Sequence, residues 1–256
     1  IHRLTEEILR DVLGNDAAGD DVQELLREVG ADIAGFVRVA GRRTTLKTRL
    51  IGLAQHRHRQ QLIRIDDESA EPIDEHTTQA LLSQVQQMLP KCQAVCLEDY
   101  NKGVVTAPLA QAIIAAARTQ KVPLLVDPAS ITDYSRYAGA TIITPNRTET
   151  EKVSGLKLRS LSAVRESAAR ILAACRTEYV CVTLDADGAA LIGPGGSFEH
   201  IPTKIRDVYD VTGAGDEVLA ALAVAVAARA AGPAAVPRAN VAGGLEVEKF
   251  GCVPIT

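Results

Sequence analysis

Tryptophan is absent from this 256-residue chain, methionine occurs once, and aromatic residues amount to only 3%. So few flat side chains leave no stacking platform for single-stranded nucleic acid. An excess of positive charge is also missing. The 28 basic and 32 acidic residues leave a formal net charge of −4, which argues against a charge-driven nucleic-acid or membrane-surface role. No apolar run approaches the ~18 residues needed to span a bilayer. Residues 1–12 are amphipathic and charged, unlike a secretory signal. The five cysteines are odd in number and lack CxxC spacing, so a zinc site is not expected. They read as buried thiols of a protein in a reducing, cytoplasmic compartment. Internal repeats, low-complexity segments and a second-domain linker are lacking too. What remains is one large domain, residues 1–256, long enough for a substantial core.

Helix and strand signals alternate through most of the chain. Residues 1–12 read as the end of a helix, and Asp21 to Val29 as an amphipathic helix with Val22, Leu25, Leu26 and Val29 on one face. Residues 35–67 suggest a small β-sheet. In it Thr45, Lys47 and Arg49 alternate with Thr44, Leu46, Thr48 and Leu50, and His56 to Gln61 form a hairpin tip. Beyond Asp74 come a helix to Leu89, a strand at Ala94–Leu97, a helix from an N-cap at Thr106 to Gln120, and strands at Leu124–Val126 and Thr141–Ile143. A helix at Leu161–Cys175, a strand at Tyr179–Leu184, a hairpin (Ala189–Ile192, Ser197–Ile201) and helices at Glu217–Ala231 and Pro237–Phe250 complete the pattern. Short apolar strands separated by helices predict a mostly parallel sheet covered on both faces, an α/β/α sandwich. Asp99, Lys102, Asp127, Asn146 and Asp185 all fall where strands end, which is the ligand edge of such sheets.

Asp210-Val211-Thr212-Gly213-Ala214-Gly215-Asp216 directly precedes a long, Ala-rich helix. The amides of Gly213, Ala214 and Gly215 at a helix start make a cradle for an anion such as phosphate. Asp216 at its mouth would be repelled by a phosphate. It is suited instead to take the proton of a hydroxyl attacking phosphorus. A glycine turn followed by an acidic first helical turn is the plainer reading.

Other stretches carry similar pairs of readings. Asn146-Arg147-Thr148-Glu149 has the spacing of a capping box. It also offers an amide and a carboxylate that could organise Mg²⁺ through water beside a nucleotide. Thr183 and Gly188 bracket a turn that could touch a nucleotide phosphate, or be only a β-turn. Asn240 and Gly243 would let a purine approach the last helix, although close packing explains a helical glycine equally well. Asp99 and Lys102 could set an acid and a cation over a sugar phosphate. Lys47 and Arg49 could hold an anionic substrate group, or simply be solvated.

Asp210 to Ala223 resembles the second signature of the PfkB carbohydrate kinases, the ribokinase-like group, and Asn146-x-x-Glu149 looks like that family's magnesium motif. Four stretches further resemble the heptose 7-phosphate kinase branch: Thr44 to Arg49, Gln60 to Asp66, Asp99 to Gly103 and Asp133 to Thr141. The resemblance spans about Gly14 to Thr256. It implies a three-layer ribokinase-like domain with a small β-lid over about residues 35–67. It also implies transfer of a phosphoryl group from ATP, with Mg²⁺, to the anomeric hydroxyl of D-glycero-D-manno-heptose 7-phosphate. The 1,7-bisphosphate so formed leads toward ADP-heptose and lipopolysaccharide core.

In that scheme Asp216 is the general base and Gly213, Ala214 and Gly215 form the anion hole. Asn146, Arg147, Thr148, Glu149, Thr183, Gly188, Asn240 and Gly243 serve ATP and Mg²⁺, with Glu149 meeting the metal through water. Lys47, Arg49, Asp99 and Lys102 serve the sugar phosphate. Neither nucleic acid nor membrane is an expected partner. A homodimer through the lid and a fused or paired nucleotidyltransferase are.

Three departures accompany the match. The family's opening strand and Gly-Gly-x-x-x-Asn segment have no counterpart here. Glu217 stands where the family carries a small or hydroxyl residue, and Asp185 replaces a small one. Another sugar or nucleoside kinase, or a catalytically dead binding relative, are the alternatives. An NAD enzyme lacks its GxGxxG.

Overall fold

The computed structural model describes residues 9–52, 60–203, 213–230 and 232–246. Among these, one compact unit runs to Val85 and takes in Lys102–Val104. The other holds Gln86–Asn101 and the chain from Val105 onward.

In the first unit, β1 (Val12–Gly14) pairs in parallel with β2 (Val37–Val39), and α1 (Ala17–Glu28) connects them. Val12 thus lies in a strand, not at a helix end. Its carbonyl-side neighbours are buried and bonded across to β2, and three residues are too few for a helix. Helix α1 starts before Asp21 because Asp16 caps it, accepting from the Gly19 N–H at 2.9 Å. The other Asp16 oxygen takes the Thr44 N–H at 2.8 Å, and Thr44 Oγ1 takes the Gly14 N–H at 2.9 Å. The expected apolar face of α1 is not buried: Leu25 is 62% and Val29 64% exposed.

An antiparallel ribbon follows, β3 (Leu46–Gly52) with β4 (Gln60–Asp67). His56 and its neighbours at the expected tip lie outside the described residues. Opposite pairs Thr48–Ile65 and Leu50–Ile63 put Leu46, Leu50, Ile63 and Ile65 on one face, all at least half exposed. Lys47 opposite Asp66 and Arg49 opposite Arg64 make the other face charged, as the alternation predicts. Helix α2 (Glu75–Met88) comes next.

The second unit is built on a six-stranded sheet. Strands β5 (Val95–Glu98), β6 (Leu124–Asp127), β7 (Ile142–Ile143) and β8 (Tyr179–Thr183) are parallel. The hairpin β9 (Ala189–Ile192) and β10 (Phe198–Ile201) extends the sheet antiparallel, in the order β10-β9-β8-β7-β6-β5. Its helices are α3 (Ala107–Gln120), α4 (Arg147–Ser154), α5 (Leu161–Cys175), α6 (Ala214–Ala227) and α7 (Gly232–Glu246). Leu125, Ile142, Cys181 and Leu191 pack against Leu219 and Leu222 of α6 and Val236 of α7. Alternation turns Leu124, Val126, Ile143 and Val182 to the opposite face, where α3 and α5 lie. Each such fully buried aliphatic side chain contributes about 1.5–3 kcal/mol, so both helical layers are held by the same sheet.

The caps explain the sharp helix starts. Thr106, Asn146 and Ser160 each accept an N–H from the first turn of α3, α4 and α5. The last two helices depart from expectation. Helix α6 begins at Ala214, ahead of Glu217, because Gly213 breaks the chain direction at φ 93°. Helix α7 begins at Gly232 with Pro233 in its first turn, so Pro237 falls inside it. Phe250 and Cys252 lie outside the described residues. No disulfide joins the described cysteines: Cys175 and Cys181 are buried, and burial pushes their thiols up to about 11 and about 12. Cys96, on the edge strand β5, is exposed instead. No helix among the described residues is long and apolar enough to cross a membrane.

Candidate active site

Parallel strands end on one side of a sheet, so the residues at their carboxyl ends share one edge. Glu98 closes β5 and Asp127 closes β6. Asn146, just past β7, forms a parallel bridge with Thr183 at the end of β8. The first turn of α6 arrives at the same edge: a Cβ placed on Gly215 would stand 4.0 Å from Asp127 Oδ2.

That turn holds Gly213, Ala214 and Gly215, the residues expected to form an anion cradle. Gly213 adopts φ 93°, a conformation open to glycine, and among the described residues no side chain caps the helix. The first α-helical bond runs from the Glu217 N–H to the Gly213 carbonyl at 2.9 Å. The amides of Ala214 and Gly215 therefore belong to the orphan set of a helix start, where the dipole is positive. Asp210 to Thr212 lie outside the described residues. Asp216, partly buried, accepts the Tyr100 O–H on Oδ1 at 2.9 Å. The same phenol reaches Glu98 Oε2 at 3.3 Å.

Around Asp216 the edge is strongly acidic. The Asp127 carboxyl is pushed up to about 7, first by burial and then by the charges of Glu149, Asp216 and Glu98. Burial also raises Glu149, although hydrogen bonds with Asn146 oppose this. The capping box is present in full. Asn146 Oδ1 accepts the Glu149 N–H, and Glu149 Oε2 accepts the Asn146 N–H, both at 2.9 Å. A divalent cation fits such a site because it would offset several carboxylate charges at once. Among the described residues no three acidic, His or Cys side chains stand close enough to hold a metal directly. Mg²⁺, which keeps several waters, suits that donor set.

The remaining expected residues are distributed as follows. Thr183 sits beside Asn146 through the bridge. Gly188 has φ 88°, and a Cβ there would come within 2.1 Å of the Ile201 carbonyl, so the turn requires glycine. Thr148 is exposed on α4. Arg147 is engaged by the chain itself: it bonds Asp185 at 2.9 Å, Asp187 at 2.6 Å, and the Leu184 and Leu158 carbonyls at 2.8 and 3.0 Å. It thus neutralises the unusual Asp185, which sits at φ 53°. Asn240 Nδ2 reaches the Pro202 carbonyl at 3.4 Å. Gly243 is buried against α6, where a Cβ would stand 2.6 Å from Val218 Cγ2.

Asp99 is buried and fully engaged. It accepts the Tyr137 O–H at 2.6 Å, Arg136 Nη1 at 3.2 Å and the Asn101 N–H at 2.8 Å. In the smaller unit, Lys102 is ion-paired with Glu68, and Lys47 and Arg49 lie exposed on the charged face of the ribbon. Sequence reasoning placed Asp127 at the ligand edge without linking it to Asp216, and overlooked Tyr100 and Glu98 as members of that cluster. Only their position at strand ends could have indicated them.

The same layering recurs in solved structures. Phosphofructokinase-2 from Escherichia coli superposes with a TM-score of 0.77 at 18% identity, covering 98% of this chain and 78% of that one. Ribokinase from Arabidopsis thaliana, complexed with ribose and ATP, gives a TM-score of 0.75 at 18% identity, covering 96% and 77%. The fold is therefore the three-layer ribokinase-like α/β/α fold, with a mixed sheet and the small β-sheet known as its lid. Within that class, the chain belongs to the pfkB family of carbohydrate kinases, whose model matches residues 11–256.

Curated relatives are nearer in sequence. The bifunctional protein HldE of Paramagnetospirillum magneticum is 41% identical over 240 residues, covering 94% of this chain and 48% of the relative. That of Rhodospirillum rubrum is 38% identical over 245 residues, covering 95% and 48%. The chain spans about half the length of the curated relatives it matches.

Proposed function

We propose that this chain is an ATP- and Mg²⁺-dependent kinase that phosphorylates the anomeric hydroxyl of D-glycero-D-manno-heptose 7-phosphate to give the 1,7-bisphosphate. The observation that carries the phosphotransfer reading is Asp216, held in the first turn of a helix whose N-cap is Gly213. Family membership and the likeness to HldE proteins support it. So does the match of Thr44–Arg49, Asp99–Gly103 and Asp133–Thr141 to the heptose kinase branch.

In this reading Asp216 takes the proton from the anomeric hydroxyl as its oxygen bonds to the γ-phosphorus of ATP and the bond to ADP breaks. The amides of Gly213, Ala214 and Gly215 face the charge on the moving phosphoryl group. An anomeric hydroxyl is more acidic than an ordinary alcohol, so a carboxylate suffices as base. Asn146, Glu149 and Thr183 would serve the nucleotide and its metal, which when bound supplies charge neutralisation at the phosphates. Lys47 and Arg49 would recognise the phosphate of the sugar. A second copy of the chain, docking on the exposed ribbon face of Leu46, Leu50, Ile63 and Ile65, and a nucleotidyltransferase fused or paired with it, are the proposed partners.

The test is ADP release with a panel of sugars and sugar phosphates, for the wild type and Asp216→Asn. Turnover should be greatest with the heptose 7-phosphate. It should fall by about 10²–10⁴-fold in the variant, while nucleotide binding persists. Unchanged turnover would remove Asp216 from the mechanism, and preference for another sugar would replace the substrate.

A further inference from the structure

The loop after β5 contains a buried charge with no evident duty toward a ligand. The Asp99 side chain is 2% exposed, and its two oxygens are taken by Tyr137, Arg136 and the Asn101 amide. Tyr137 is itself fully buried, and its hydroxyl oxygen also accepts the Ala129 N–H at 3.0 Å. Burying a carboxylate is costly unless every lone pair is used, so this network is a rigid anchor. What it fixes is the backbone of 99–101, with Asn101 in the left-handed region at φ 57°. The side chain between them, Tyr100, is 55% exposed and so contributes little packing. Its hydroxyl nevertheless ends 2.9 Å from Asp216 Oδ1. An anchored turn that presents one phenol to one carboxylate has a positioning task.

We propose that Tyr100 is a positioning residue for Asp216: its O–H holds Oδ1 and leaves Oδ2 as the oxygen that receives the acceptor's proton. The inference rests on the kinase reading above and adds a residue to it. A carboxylate has about four lone-pair sites, so the Tyr100 bond does not block the base. It removes rotational freedom about the carboxylate instead. The phenol has a single proton, and Glu98 Oε2 at 3.3 Å is the weaker of its two acceptors. Although the ring is half exposed, desolvation of its hydroxyl and the charges of Glu98 and Asp216 push the Tyr100 hydroxyl up, so it stays a donor throughout the working pH range.

Tyr100→Phe removes only the hydroxyl from a half-exposed ring. Steady-state kinetics should show kcat lower by about tenfold, because a misaligned base loses part of its geometric advantage. KM for ATP and for the sugar phosphate should stay within about twofold. In the Asp216→Asn background the same change should have no further effect on residual turnover, since the group being positioned is gone. A thermal midpoint and ADP affinity equal to the wild type would show that the fold is intact. Equal kcat in Tyr100→Phe and wild type overturns the inference while leaving the kinase reading in place. So does the same fold-loss in both backgrounds. A wild type without turnover on any sugar or sugar phosphate overturns the kinase reading, and this inference with it.

Discussion

The charge of Asp216 helps to keep a proton on Asp127, whose carboxyl sits at about 7 at the end of β6. Burial is the larger cause, and Glu149 and Glu98 add to it. The acidic edge of the sheet is thus strained electrostatically in the protein by itself, and that strain should be measurable.

An unfolded Asp titrates near ~3.9. The folded chain therefore binds more protons than the unfolded one between that value and about 7, and stability falls as pH rises through this window. Asp127→Asn removes the titrating group. Relative to wild type it should gain stability as pH goes from about 5 to about 8, on the order of 2 kcal/mol, seen as a pH-dependent difference in Tm. Saturating Mg²⁺ and nucleotide should shrink the gap. A difference that does not vary with pH would mean that Asp127 is ionised throughout.

Lys47 stands on the charged face of the β3–β4 ribbon, opposite Asp66. If it recognises the substrate's phosphate, Lys47→Ala should raise KM for the phosphorylated sugar by about tenfold, near 1.4 kcal/mol, with KM for ATP unchanged. The comparison that decides is an unphosphorylated sugar. An equal rise there would place Lys47 outside phosphate recognition.

Gly243 lets α7 approach α6 closely. A Cβ there would stand 2.6 Å from Val218 Cγ2 and 3.3 Å from the Ala214 carbonyl. Gly243→Ala should cost about 1–3 kcal/mol through overpacking, lowering Tm by several degrees. Adding Val218→Ala should recover part of the loss. A neutral single variant would show that the helices can separate freely. The position abuts the first turn of α6, so a fall in phosphotransfer should accompany the fall in Tm.

Much of this was legible in the residue order. Helix α5 runs from Leu161 to Cys175 as the periodicity predicts, and α3 starts after Thr106 because a hydroxyl there caps the first turn. The capping box of Asn146 and Glu149 follows from their spacing alone. Capping and alternation are local effects, decided within a few residues, and so they can be read along the chain. The start of α6 at Ala214 was legible only in retrospect, since Gly213 and Gly215 can both end a turn.

The amino-acid sequence by itself determined the layered α/β architecture, the strand ends and the glycine turn before Asp216, because each depends on short-range periodicity and backbone freedom. Only the tertiary structure decided which side chains act together. Tyr100 and Asp216 are 116 residues apart and meet because β5 and α6 reach one sheet edge. Asp99, by spacing a plausible ligand residue, is turned inward by Tyr137 and Arg136, and Arg147 is drawn to Asp185 and Asp187. Hydrogen-bond and charge partners are chosen by distance in space, and sequence separation carries no record of that choice.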